Sequence, residues 1–210
     1  IRDRFGGRVR FFISGAAALS SDIAEWFHAA GVLILEGYGL TESSAGSFVN
    51  HADLYKIGSV GLPMPGTEVK IAEDGEILIK GVNVLRGYRG NEEATKESIV
   101  DGWFHTGDIG ELDEDGYLKI SGRKKEILVT AGGKNVAPAM LEDAIRSDAL
   151  ISQVMVVGDG KPFIAAIVTL DTDTLPAWLA ANGLPKDLDV ATGSIVALLG
   201  SNGAGKTTLV

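Results

Sequence analysis

The feature that most constrains this chain is a strand, a helix and a second strand in immediate succession near its start. Residues 9–14 (Val-Arg-Phe-Phe-Ile-Ser) read as a buried strand, and Ser20-Ser21-Asp22 offer capping side chains to a helix whose apolar face is Ile23, Phe27 and Ala30. Residues 32–35 read as the second strand. Strands joined through a crossover helix pair in parallel, and the functional loops of such sheets lie beyond the strand carboxyl ends. Those ends are Ser14-Gly15-Ala16 and Glu36-Gly37-Tyr38.

From residue 66 the texture changes to short strands with two-residue turns. Residues 67–72 and 76–80 flank Asp74-Gly75, and residues 109–112 and 117–120 flank Asp115-Gly116, which predicts antiparallel hairpins. After Gly122 comes the polar stretch Arg123-Lys124-Lys125-Glu126, then a strand over 127–130, a glycine-rich turn and a helix opened by Pro138. Strands over 153–157 and 163–170, joined by Asp159-Gly160, complete a compact α+β unit, and residues 174–182 read as one more short helix. The link ahead of this unit is the expected domain hinge.

Composition narrows the function classes. The 210 residues are 45% apolar and 22% charged, a globular composition, and the longest apolar runs (154–157, 163–170) fall far short of the ~20 residues that span a bilayer. The absence of cysteine excludes disulfides, zinc–thiolate sites and thiol catalysis, and fits a reducing cytoplasm; three scattered histidines offer no transition-metal site. A net charge of -9 argues against a nucleic-acid surface, so an anionic nucleotide would need a local positive field or a metal. The start, Ile1-Arg2-Asp3-Arg4-Phe5, lacks both methionine and a signal-like stretch, as expected of a chain cut from something longer.

The polar residues at the strand ends suggest chemistry. Tyr38 can stack on a base, Thr41 can bond a phosphate oxygen and Glu42 can hold Mg²⁺ beside it. Asp108, after the Thr106-Gly107 turn, can accept both hydroxyls of a ribose, and Arg123 is a charged fork for ribose or phosphate oxygens. Taken singly, each such residue is more often a solvated loop side chain. His28 and His105 read as structural and His51 as solvated; Trp26 and Trp103 are expected to pack on apolar neighbours, and Asp113, Glu114 and Asp115 to be simply solvated in a hairpin turn.

Taken together, in order and spacing, Glu36-Gly-Tyr-Gly-Leu-Thr-Glu42, Gly75-Glu-Ile-Leu-Ile-Lys-Gly81, Gly87-Tyr88, Trp103-Phe-His-Thr-Gly-Asp108 and Gly122-Arg-Lys-Lys-Glu-Ile127 resemble the motifs of the adenylate-forming superfamily. Thr130-Ala-Gly-Gly-Lys-Asn-Val-Ala-Pro138 further resembles its long-chain fatty acyl-CoA synthetase branch. The resemblance implies an α/β and α+β architecture. Residues 1–122 would be the carboxyl-terminal part of the AMP-binding large domain, an α/β unit plus a β-rich subdomain, and 123–188 a small mobile α+β carboxyl-terminal domain. It implies activation of a fatty acid by ATP, with Mg²⁺, to an acyl-adenylate and pyrophosphate, then transfer to coenzyme A, with peripheral membrane contact through the lipid substrate. By the same resemblance Gly15, Ala16 and Tyr38 border adenine, Thr41 and Glu42 serve phosphate and Mg²⁺, and Asp108 and Arg123 grip the ribose. Lys125 falls on the hinge of the mobile domain, and Gly132 and Lys134 fall where the pantetheine of coenzyme A passes. The family's phosphate loop belongs upstream of Ile1, and its catalytic lysine finds no counterpart after Asp189, so this stretch alone is expected to turn over little or nothing.

Residues 189–210 read as a foreign tail. Gly200-Ser-Asn-Gly-Ala-Gly205-Lys206-Thr207 fits a phosphate loop after an apolar strand at 195–199 and resembles the start of an ABC-transporter ATP-binding subunit. The alternatives to the ligase fragment are therefore a transporter ATP-binding fusion and a catalytically silent nucleotide-binding fragment.

Overall fold

The computed structural model describes residues 1–185 and the backbone of residues 195–199. The chain divides into two compact units, Ile1–Lys124 and Lys125 onward.

The first unit opens with β1 (Phe12–Ser14), α1 (Ser21–Ala29) and β2 (Ile34–Tyr38). β1 and β2 run parallel with Ser14 opposite Glu36, as the crossover predicts. β3 (Phe48–Val49) and β4 (Leu62–Pro63) extend this sheet in the order β1-β2-β3-β4. The inner face of α1 matches the expected one only in part: Phe27 and Ala30 are half-buried, but Ile23 is not. Ala24 is its buried residue, while Ile23 is 48% and Trp26 58% exposed. Trp26 packs edge-on against Phe27, its ring centroid 5.0 Å away. Phe27 joins Phe5, Phe12, Leu19, Val32 and Ile34 around an apolar hollow of about 290 Å³ beside β1.

The β-rich part holds β5 (Thr67–Ile71), β6 (Glu76–Gly81), α2 (Glu92–Ser98), β7 (Ile99–Val100), β8 (Trp103–Leu112) and β9 (Leu118–Arg123). Its sheet runs β5-β6-β8-β7 with β9 on β8, and each pairing is antiparallel. Gly75 and Gly116 take positive φ (85 and 84), which is why the Asp-Gly pairs close these hairpins. Phe48, Ile77, Ile79, Phe104 and Leu118 form the core, with Tyr38 and Leu40 packed on it. The core thus draws on both sheets, and the end of β2 is held against the β-rich part.

The Asp113 turn is not merely solvated, which corrects the expectation. Lys56 Nζ reaches Asp113 Oδ2 at 2.6 Å and Asp115 Oδ2 at 3.3 Å, and Asp113 Oδ1 accepts from the Asp115 and Tyr117 amides. Trp103 likewise lies under lysines, with Lys70 Nζ 4.3 Å and Lys80 Nζ 5.7 Å from its ring.

The second unit begins in a 3-10 turn (Lys124–Glu126), followed by β10 (Leu128–Val129), β11 (Asn135–Val136), α3 (Pro138–Arg146), β12 (Ile151–Val157), β13 (Ile164–Leu170) and α4 (Leu175–Ala181). Pro138 stands in the first turn of α3, where its missing N–H costs nothing. β12 and β13 pair antiparallel, and β14 (Ile195–Leu199) lies antiparallel on the other side of β13. Val154, Val156, Ile164, Ala166 and Val168 form its core, covered by Leu141 and Ile145 of α3. Gly200, Gly205, Lys206 and Thr207, expected to form a phosphate loop, lie outside the described residues. Among the described residues no helix is long and apolar enough to cross a membrane.

Candidate functional site

The carboxyl ends of β1 and β2 lie side by side. A Cβ on Gly15 would come within 3.3 Å of the Gly37 carbonyl oxygen, and one on Gly37 within 3.2 Å of that of Phe48, so small residues let these chain ends close up. Ala16 follows with φ 67, in the left-handed region. After Tyr38 the chain folds over so tightly that a Cβ on Gly39 would lie 2.0 Å from the Ala45 carbonyl oxygen. The Ser47 amide donates to the Tyr38 carbonyl at 2.9 Å, and the 3-10 turn Thr41–Ser43 sits inside the fold-over. Thr41 is exposed and Glu42 half-buried.

Contacts from the β-rich side lock this loop. The Leu85 amide donates to the Glu42 carbonyl at 2.7 Å, and the Tyr88 hydroxyl donates to Glu42 Oε1 at 3.1 Å. Asn83 Nδ2 donates to the Gly46 carbonyl at 3.0 Å, while its own carbonyl accepts from Ser44 Oγ at 2.8 Å. Asn83 was not singled out from the sequence, and Tyr88 was legible only as part of a motif.

Asp108 comes to the same place from β8. Its side chain is nearly buried, and the Tyr38 hydroxyl donates to its Oδ2 at 2.6 Å. Arg123 is its cross-strand partner on β9, with Nε 3.3 Å from Asp108 Oδ1 and a side chain 64% exposed. Burial, followed by the hydrogen bond to Asp108, pushes the Tyr38 phenol far above its ordinary value, so it remains a neutral donor. Each Asp108 oxygen thus has one partner and keeps a further lone pair for another donor. Gly15, Ala16, Tyr38, Thr41, Glu42, Asp108 and Arg123 all belong to the first unit, at the ends of β1, β2 and β9, within β8 and on the loop after β2. Lys125 lies in the 3-10 turn that opens the second unit, and Gly132 and Lys134 lie on the β10–β11 turn, where the Lys134 amide donates to Thr130 Oγ1 at 3.1 Å.

Beside Asp108 stands Glu76, a buried carboxylate that sequence reasoning passed over. Its Oε1 accepts from the Gly107 amide at 2.9 Å, and its Oε2 lies 2.9 Å from Lys124 Nζ and 3.1 Å from His105 Nδ1. Lys124 also grips Asp74 Oδ2 at 2.6 Å. Burial raises the Glu76 carboxyl, but Lys124, His105 and the Gly107 amide together outweigh it and hold the group below its ordinary value of 4.5. A carboxylate depressed in this way stabilises the fold above its unfolded-chain value, and that stability is lost as pH falls through the lower folded value. Wild type is therefore expected to be more stable than Glu76→Gln at pH 7, with the gap closing below about pH 4.5. Thermal melts of both proteins between pH 7 and 3 check this, and a gap that does not change with pH would show the ion pairs to be idle.

A family model described as AMP-binding enzyme matches residues 2–89, and one described as AMP-binding enzyme C-terminal domain matches residues 125–179. The long-chain-fatty-acid–CoA ligase FadD15 of Mycobacterium bovis is 52% identical over 182 residues, covering 87% of this chain and 30% of that protein. Long-chain-fatty-acid–CoA ligase 6 of Mus musculus is 37% identical over 198 residues, covering 88% of this chain and 28% of its own length. The chain thus spans about a third or less of these curated relatives. Among solved structures, the o-succinylbenzoate CoA synthetase of Bacillus subtilis in complex with the acyl-adenylate intermediate superposes with a TM-score of 0.72 at 26% identity, over 82% of this chain and 40% of that one.

Proposed function

The chain belongs to the AMP-binding enzyme family, and from that premise we propose that it is part of a long-chain fatty acid–CoA ligase, contributing the nucleotide-gripping half of the adenylation site. The observation that carries the site assignment is the Tyr38–Asp108–Arg123 chain of contacts, which joins the carboxyl end of the parallel strand β2, where such sheets bind ligands, to the antiparallel β8–β9 pair.

In this reading Asp108 accepts the two ribose hydroxyls at its remaining lone pairs. Tyr38 and Arg123 fix the carboxylate and keep its charge in place, and Tyr38 turns a ring face to the adenine at the border formed by Gly15 and Ala16. Thr41 donates its hydroxyl to a phosphate oxygen. Glu42, oriented by Tyr88, fits a Mg²⁺ ligand. Among the described residues no cluster of three or more acidic or histidine side chains could hold a metal, so the ion would take its other ligands from phosphate oxygens and water. Bound there, Mg²⁺ would neutralise charge on the phosphates as pyrophosphate departs. Lys125 serves as the hinge of residues 123–188, and Gly132 and Lys134 line the path of the coenzyme A pantetheine. Fatty acid, ATP and coenzyme A are the substrates, in the cytoplasm, with membrane contact through the lipid.

Calorimetric titration of the chain with AMP tests the site. Saturable binding that survives removal of Mg²⁺ is expected, since ribose and adenine contacts need no metal. Absence of any heat at millimolar AMP would defeat the assignment.

A further inference from the structure

Glu76 touches both the backbone of the turn carrying Asp108 and Lys124, the residue from which the second unit departs. One of its oxygens holds the Gly107 amide, the residue before Asp108, at 2.9 Å. The other holds Lys124, the last residue of the first unit, at 2.9 Å. The surroundings restrict this carboxylate to one pose. It is 4% exposed, His105 Nδ1 shares the Lys124 oxygen, and Asp74 holds the far side of the Lys124 ammonium. The Gly107 turn needs such support. It stands at φ 73 in the left-handed region, in the stretch where β8 passes from β6 to its pairing with β9. Thr106 Oγ1 adds a tie to β6, donating to the Ile77 carbonyl at 2.7 Å, and accepts from the Asp108 amide at 3.1 Å.

We propose that Glu76 is a positioning residue that links the Asp108 turn to the Lys124 segment, so that the pose of the ribose-gripping carboxylate, held directly by Tyr38 and Arg123, and the anchoring of the chain at the hinge share one further support. The proposal rests on the nucleotide-site reading above for its functional meaning, but the linkage itself is physical and needs no ligand. A buried carboxylate has two oxygens at a fixed separation, so a pull on one is transmitted to the other. Releasing Lys124 would let Glu76 relax toward His105 and loosen its hold on Gly107. Conversely, a nucleotide that orders Asp108 would firm the Lys124 anchor.

Amide hydrogen exchange by NMR on the 210-residue chain without nucleotide decides the linkage. In Lys124→Met, whose site is half exposed, the Gly107 amide is expected to exchange about five-fold faster, the effect of weakening one hydrogen bond. The core amides of Ile79 and Leu118 should keep their wild-type rates, and Lys124→Arg should restore Gly107. An unchanged Gly107 rate, or an increase shared equally by Ile79 and Leu118, would overturn the proposal, because the first shows no linkage and the second only general loosening. AMP titration forms a separate arm. Affinity about five-fold weaker in Lys124→Met and restored in Lys124→Arg supports the functional role, and equal affinity in all three proteins overturns it. A wild-type chain that binds no AMP would sink the nucleotide-site reading while leaving the exchange result to judge the linkage.

Discussion

Asp108→Ala is expected to weaken AMP binding by on the order of 10²-fold or more, since each hydrogen bond to a charged group contributes about 1.5–3 kcal/mol and up to two ribose hydroxyls lose their acceptor together. The side chain is nearly buried between Tyr38 and Arg123, so its removal also strands the Tyr38 hydroxyl, bonded to it at 2.6 Å, without an acceptor. Asp108→Asn separates these effects. The amide keeps the shape and one oxygen, so the melting temperature should stay closer to wild type while AMP affinity still falls, because a charged acceptor has become a neutral one. Calorimetry and thermal melts on the three proteins check both. Affinity in Asp108→Ala equal to wild type would remove the ribose from this place.

The second large effect lies in the core. Phe48 is 1% exposed, belongs to β3 and packs with its ring centroid 6.0 Å from that of Tyr38. Phe48→Ala should cost about 3–5 kcal/mol of stability, the transfer free energy of the ring plus the cavity it leaves. Urea denaturation should show the midpoint falling with the slope little changed. The variant also removes the surface on which Tyr38 rests, so AMP binding should weaken in whatever protein remains folded. Tyr38→Phe, which keeps the ring and deletes only the hydroxyl, should lose far less stability. A loss under about 1 kcal/mol in Phe48→Ala would mean that the two sheets do not share the core described.

Much of the architecture was readable from local chemistry. The Asp-Gly turns named the hairpins, and the β1–α1–β2 succession fixed a parallel pair whose carboxyl ends carry Tyr38 and the loop to Glu42. Pro138 marked the start of α3. Other elements were hidden for identifiable reasons. α2 (Glu92–Ser98) has no apolar stripe, so periodicity could not find it, although Asn91 was available as a cap and does accept from the Ala94 amide at 3.0 Å. β8 begins at Trp103, six residues before the strand read at 109–112, because the interior His-Thr-Gly-Asp spells a turn rather than a strand. Phe104, Asp108 and Gly110 nevertheless lie on its buried side, with partners on β6 and β9.

The site shows the same division. Tyr38, Glu42, Asp108 and Arg123 could be singled out because each is a chemically capable residue beside a strand end. Glu76 could not, because a glutamate one residue past a turn glycine reads as solvated until Lys124, distant in sequence, folds back onto it. Asp113 and Asp115 read as solvated for the same reason, their partner Lys56 coming from the β3–β4 loop. Long-range ion pairs leave no trace in a local window.

The opposition of Asp108 and Arg123 across β8 and β9 makes the hairpin a pair of calipers. Its tip, at Asp115-Gly116, could be lengthened or shortened by a residue or two with the jaws still meeting. A single residue inserted into either arm between that tip and the jaws would turn one jaw to the opposite face of the ribbon, because side chains alternate strictly along a strand. The extra residue already accommodated by the irregularity between Ile109 and Gly110 is what sets the present phase. Length changes in related chains should therefore gather at the tip and spare the arms.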